Sequence, residues 1–311
     1  MNKKQSIYLK IIQEAERIIW QHKFLWWFGF FLSLSIKDFN FIFNNFQTEK
    51  KIKPEIFFSY LKELWEKHPE WLIKILSITI LLGIILSIVK ILNQVGIIES
   101  LNNIQKNKPT GLIECWRAGK KYFWKILTLD LFFFFLVLTL AVILFSPPLF
   151  LFFLQSYGST FFVGLLAFFI FLPALIILLF VKKYAYFYLI LGKLRLVSSL
   201  ENGYLLFRKN WISGLLMGAT LFSVEIFVST ILVFLIIFIM SLNFFLSLNY
   251  FPNIELLIIM FIAIFLRAIL KTFFQTSWFL FFYQISRSKK EKEGIVEEES
   301  PEKKIIEAES V

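Results

Sequence analysis

The sequence is poor in the residues on which most soluble and secreted proteins depend. It has a single cysteine, Cys115, so neither a disulfide framework nor a Cys-based metal cluster can form. Its two histidines, His22 and His68, are too few and too far apart for an all-His metal site. No nucleophile–base pair, metal cluster or phosphate loop is visible, so the expectation is a non-enzymatic protein without metal or cofactor. No cleavable signal peptide is expected, because the first apolar run follows an amphipathic stretch and no small-residue cleavage site comes after it. Residues 146–160 and 243–253 carry no charge at all.

Apolar residues, by contrast, make up 58% of the 311 positions, 41 of them Phe, and mean hydropathy is +0.71. Soluble domains run about 45–50% apolar, so this chain is too apolar for a water-soluble core. The net charge of +11 is then read as cytoplasmic loop charge rather than a nucleic-acid footprint.

A bilayer core of about 30 Å needs about 20 apolar helical residues. Five segments meet this: Trp71 to Leu92, Tyr122 to Phe145, Phe161 to Val181, Trp211 to Leu242 and Ile254 to Ile285. Lys74 and Lys90 bracket the first, placed to snorkel outward. Pro147 and Pro148 are expected to stop the second, and Pro173 to kink the third. A sixth segment, Phe24 to Ile36, is shorter. It reads as a re-entrant stretch or, extended back through Ile18 to Trp20, as a full span, which the charge pattern favours.

Sorting Lys and Arg between these spans gives five in residues 1–23, seven in 90–125 and six in 182–210. The alternate segment 37–70 balances six basic against six acidic residues. The positive-inside rule then places both termini in the cytoplasm. The fold expected is all-α and polytopic, a six-span domain over residues 1–285 in the plasma (cytoplasmic) membrane. Residues 37–70 would lie outside and carry an amphipathic helix beginning near Pro54. Residues 286–311, with eight acidic and six basic residues, would be a disordered cytoplasmic tail.

Three times an amphipathic stretch runs into a basic and aromatic junction that opens a span. The junctions are Lys23–Phe24, then Lys120, Lys121, Tyr122, Phe123 and Trp124, then Arg208, Lys209, Asn210 and Trp211. The pattern suggests a threefold repeat of one cytoplasmic interfacial helix and two spans, with ordinary anchored loops as the alternative. Lys23, Lys120, Lys121, Arg208 and Lys209 would meet anionic headgroups, at about 1 kcal/mol per charge near the surface. Trp124 and Trp211 would sit at the interface. Cys115, on the second stretch, reads as a small core residue, with acylation as the alternative.

The run Gly203, Tyr204, Leu205, Leu206, Phe207, Arg208, Lys209, Asn210, Trp211 resembles a motif of bacterial multi-pass proteins, and Gly119 to Trp124 is similar. That group includes the membrane domain attached to some glycerophosphodiester phosphodiesterases and related uncharacterised integral membrane families. The resemblance covers most of residues 1–285 and implies a six-helix inner-membrane fold. It does not imply phosphodiesterase activity, since the chain lacks that family's soluble barrel and its metal machinery.

Ionisable residues at bilayer depth are functional candidates by default. Glu225 and Lys271 each lie 14 residues from the cytoplasmic ends of adjacent antiparallel spans, Trp211 and Ile285. At about 1.5 Å per residue they share one level, with Arg267 a turn further out and Asp130 nearer the cytoplasm. A salt bridge from Glu225 to Lys271 or Arg267 is expected. Two functional classes follow. The first is a lipid-organising or scaffold protein whose partners are anionic lipids and other membrane proteins, with no nucleic acid. The alternative is a small transporter or permease component using Glu225, Lys271 and Arg267. A cavity reaching Glu225 would favour the transporter, and a dry packed hairpin the scaffold.

Overall fold

The computed structural model describes residues 3–33, 59, 62, 65–67, 69–246 and 252–292. Among them there is no strand, and seven helices follow in order: α1 Lys3–Gln21, α2 Leu25–Ser33, α3 Pro69–Gln105, α4 Leu112–Phe153, α5 Tyr157–Leu191, α6 Leu196–Leu246 and α7 Pro252–Lys292. Four stretches are long and apolar enough to cross a membrane: α3, α4, α5 and α6 from Leu196 to Phe234. The described part of the first expected span, α2, has nine residues and is too short to cross alone at about 1.5 Å per residue.

Several boundaries differ from the sequence reading. Pro147 and Pro148 lie inside α4 and do not end it. Pro147 has no N–H for the Ile143 carbonyl one turn back, and the Ser146 hydroxyl donates to that carbonyl instead, at 3.4 Å. Lipid-exposed helices tolerate proline when the freed backbone group is satisfied in this way. The loop expected over 146–160 therefore shrinks to a turn of residues 154–156. Gln155 there takes φ 56°, and the amides of residues 154–156 donate to carbonyls of Phe150, Phe152 and Leu151. α5 runs past Val181 to Leu191, so Lys182 and Lys183 are helical, not loop residues. α7 likewise continues through 286–292, the start of the expected tail. Within the outer segment Ser59, Lys62 and residues 65–67 are helical; the rest of that segment to residue 68, the remainder of the tail and residues 247–251 of the loop at 243–253 lie outside the described residues.

The three amphipathic stretches take different forms. The first is α1, a separate helix whose apolar face, Ile11, Ala15 and Ile18, is buried against α7. The second is shared between two long helices. Ile97, Ile98 and Leu101 end α3, and Leu112 to Gly119 open α4, with Asn107 at φ 51° in the turn before Pro109. The third is the first part of α6, which meets its membrane part at a kink on Asn210, with φ −127° and ψ 26°. The first is thus a separate helix and the third is set off from its span by the non-helical Asn210, whereas the hydrogen-bonded ladders of the second run on into the neighbouring spans.

The fold is tightest at one end, the base, which holds α1 and the turns at 106–111 and 192–195. Its core includes Phe28, Ile97, Ile126, Leu129, Phe187 and Phe279. α3 packs on α4, α4 on α5 and α5 on α6, while α7 lies mainly along α2 and α1 and touches α6 less. Small residues set the close approaches. A Cβ on Gly119 would come within 2.9 Å of the Leu92 carbonyl oxygen, and one on Gly203 within 2.9 Å of the Ala185 nitrogen. A Cβ on Gly29 would collide with the Thr272 hydroxyl and the Ala268 carbonyl. Such small-residue contacts carry helix association where lipid removes the hydrophobic drive.

Away from the base the helices expose long apolar stretches, among them Ile78 at 65%, Phe134 and Phe135 at 59% and Phe162 at 71%. Contiguous exposure of this kind is incompatible with water and suits hydrocarbon. Several hydroxyls on these stretches are satisfied within their own helix: Ser77, Thr79, Ser87, Thr128 and Thr220 each donate to the carbonyl four residues back, which spares them the cost of a bare polar group in lipid.

Candidate functional site

Two adjacent lysines on α5 open the polar chemistry of the bundle. Successive helical residues point about 100° apart, so Lys182 and Lys183 face different neighbours. Lys182 Nζ lies 2.6 Å from Asp130 Oδ1 on α4. The Tyr186 hydroxyl, one turn after Lys182, donates to the same oxygen. The Lys182 ammonium also stands 5.9 Å from the ring centres of Phe133 and Tyr186. This group is neutral overall and ties α4 to α5.

Lys183 turns the other way, towards α7. Its Nζ donates to Gln275 Oε1 at 3.0 Å and stands 5.5 Å from the ring centre of Trp278. Because an ammonium only donates, the amide oxygen of Gln275 must face it, which leaves the Gln275 amide nitrogen on the other side. That nitrogen is buried and has no hydrogen-bond partner, and the residue as a whole is 8% exposed.

Both residues line a cavity of about 620 Å³ between α2, α3, α5, α6 and α7. Lys90, Gln94, Glu225 and Lys271 supply its other polar wall, and Leu32, Leu221, Phe222, Phe274 and Trp278 its apolar wall. The cavity exists because α7 leans on α2 and α1 and leaves a gap towards α6. It lies at the upper edge of the base: the buried run of α3 begins at Ile91, the residue after Lys90. Lys90 and Glu225 are exposed, so the cavity is open to its surroundings.

Of the three expected membrane-depth residues, Glu225 and Lys271 line this one cavity, whereas Arg267 lies one turn away on α7, outside the lining. Among the described residues no salt bridge reaches Glu225, whereas Lys182 pairs with Asp130. The separation of α6 from α7 accounts for the difference, since counting along helices fixes depth but not the gap between them. Lys183, Gln275, Lys90 and Gln94 were not singled out as site residues by the sequence. A usable signal was present: Lys182 and Lys183 are followed by eight apolar residues without a break, and Gln275, Thr276 and Ser277 form a polar triplet inside an aromatic run.

The interfacial candidates lie elsewhere. Lys23, Lys120, Lys121, Arg208 and Lys209 are exposed, as are Trp124 at 73% and Trp211 at 50%. Cys115 is fully buried, with its sulfur 2.6 Å from the Ser100 hydroxyl, and so it is closed to acylation in this conformation. The chain matches no protein-family model, no curated protein and no solved structure.

Proposed function

We propose that this protein is a small membrane transporter or permease component that admits a polar or charged solute to the cavity beside Glu225 and Lys271. One observation carries the reading: six polar residues from four helices line a cavity of about 620 Å³, in a protein with four stretches among its described residues that are each long and apolar enough to cross a membrane. Lysines and a carboxylate at bilayer depth are costly unless they serve a pathway or a partner, and a packed passive bundle has no need of such a wall. In this reading the protein is a six-span protein of the bacterial inner membrane, with α2 and α7 completing the spans, residues 37–70 outside and both termini cytoplasmic. The junctions at Lys23, Lys120–Lys121 and Arg208–Lys209 mark three repeated units.

Solvent access tests it. In a Cys115→Ser background, Gln94→Cys should react with a charged, membrane-impermeant thiosulfonate, while Ile84→Cys on the exposed apolar part of α3 should not. Equal protection of both positions would describe a dry bundle and remove the transport reading.

A second reading, a lipid-organising or scaffold protein, is favoured by the exposed basic and aromatic residues of the three junctions. Replacing Lys120, Lys121, Arg208 and Lys209 by Gln should then weaken retention of anionic lipid, at about 1 kcal/mol per charge. Unchanged retention would leave those residues as ordinary anchors.

A further inference from the structure

Lys183 and Gln275 carry hydrogen-bonding capacity that the protein leaves unused. An ammonium has three donors, and the polar partner of Lys183 among the described residues is the Gln275 oxygen. Asp130, the carboxylate that pairs with the adjacent Lys182, is already occupied by Lys182 and Tyr186. The Gln275 amide nitrogen adds a buried donor without an acceptor. A buried donor in this state costs free energy until an acceptor arrives, and both residues line one cavity.

We propose that the cavity binds the anionic headgroup of an amphiphile, a carboxylate or a phosphate monoester, with Lys183 Nζ and Gln275 Nε2 as direct ligands. This deepens the transport reading and rests on it. The charge of the wall fits an anion. Even with Lys271 set aside, Lys90 and Lys183 outnumber Glu225. The size and the remaining wall fit a chain attached to that anion. At about 30 Å³ per water the cavity holds on the order of twenty waters, far more than one headgroup fills. Leu221, Phe222, Phe274 and Trp278 offer an apolar surface beside the donors. Phe222 is 62% exposed, which leaves a side opening where the helices cease to pack, suited to entry of a chain from the lipid.

The test uses the full-length protein in detergent and native mass spectrometry with three probes: dioleoyl phosphatidic acid, dioleoylglycerol and inorganic phosphate. Phosphatidic acid should be retained over dioleoylglycerol, which has the same chains without the anion. Losing one charge-assisted contact should cut that retention by about tenfold in Lys183→Gln, with a comparable loss in Gln275→Leu. Lys183→Arg keeps the cation and should keep most of the binding, which separates recognition from a folding defect. Lys120→Gln with Lys121→Gln should leave retention unchanged. Retention that survives both Lys183→Gln and Gln275→Leu, or that is lost only with Lys120 and Lys121, would overturn the assignment in favour of lipid on the outer surface. Displacement of the lipid by equimolar inorganic phosphate would overturn it in favour of a free anion. Thiosulfonate labelling at Gln94→Cys without phosphatidic acid retention would sink this inference alone, whereas failure of both experiments would remove the transport reading as well.

Discussion

Lys183 Nζ donates to Gln275 Oε1 at 3.0 Å and so joins α5 to α7 at the wall of the cavity. Its chain neighbour Lys182 does the opposite work, pairing with Asp130 on α4. One helix turn thus holds a neutralised lysine that fixes two helices and a lysine that, among the described residues, pairs with no carboxylate and lines the cavity. The two are interchangeable in sequence, and the helix phase alone separates a structural cation from a candidate ligand-binding one.

That separation gives a stability prediction. Asp130→Asn removes the counter-charge of Lys182 and should destabilise the protein. Breaking a fully buried pair costs about 3–5 kcal/mol, and because these side chains remain 29% and 30% exposed we expect about 2 kcal/mol here. The double change Asp130→Asn with Lys182→Gln should recover part of the loss. Thermal unfolding of the purified protein, followed by size-exclusion chromatography, measures both. A melting temperature unmoved by Asp130→Asn would show that solvent or lipid headgroups already screen the pair.

Glycine substitutions test the helix contacts. Gly29→Ala, Gly119→Ala and Gly203→Ala each place a methyl group against backbone or a buried hydroxyl, and overpacking of this kind costs about 1–3 kcal/mol. Gly83→Ala has nothing within 4 Å of the new carbon and should be neutral or stabilising, by up to about 1 kcal/mol from helix propensity. Equal effects at all four positions would mean that propensity, not packing, sets their roles.

Much of this architecture was legible in the sequence. The apolar runs located α3, α4, α5 and α6, since lipid solvation demands a length that few other structures need. The Arg208–Lys209–Asn210–Trp211 junction fell on the observed kink, and counting residues put Glu225 and Lys271 at one level, where both line one cavity. The ends of the helices were not legible, because proline and lysine were read as boundaries. In a helix, a proline survives when Ser146 covers the freed carbonyl, and a lysine survives when Asp130 lies across from it. The first compensation is local but depends on the rotamer that Ser146 adopts, and the second comes from a neighbouring helix. The cavity itself was out of reach for the same reason, as it depends on α7 choosing α1 and α2 over its sequence neighbour.

Topology is open to direct labelling. With both termini cytoplasmic and residues 37–70 outside, Ser59→Cys in intact cells should react with an impermeant maleimide, and Ser288→Cys should react only after permeabilisation. The Cys115→Ser background removes the native thiol. The reverse pattern would invert the whole arrangement, and with it the assignment of Lys23, Lys120, Lys121, Arg208 and Lys209 to the cytoplasmic leaflet.

Glu225 offers the most discriminating substitution. If it were half of a buried salt bridge, Glu225→Gln would leave a lone buried cation and cost about 3–5 kcal/mol. The side chain is instead exposed on the cavity wall, and among the described residues no salt bridge reaches it. Glu225→Gln should therefore change stability by no more than about 0.5 kcal/mol, as at surface positions without a buried partner. Its effect should appear in the ligand. Removing the one carboxylate from a wall that also holds Lys90 and Lys183 lowers the repulsion felt by an anion, so retention of phosphatidic acid should rise, and rise more at low salt, where screening is weaker. Lys90→Gln should act in the opposite direction. Thermal unfolding and lipid retention measured on the same preparations separate the two quantities. A large loss of stability in Glu225→Gln with no change in lipid retention would return Glu225 to a purely structural role.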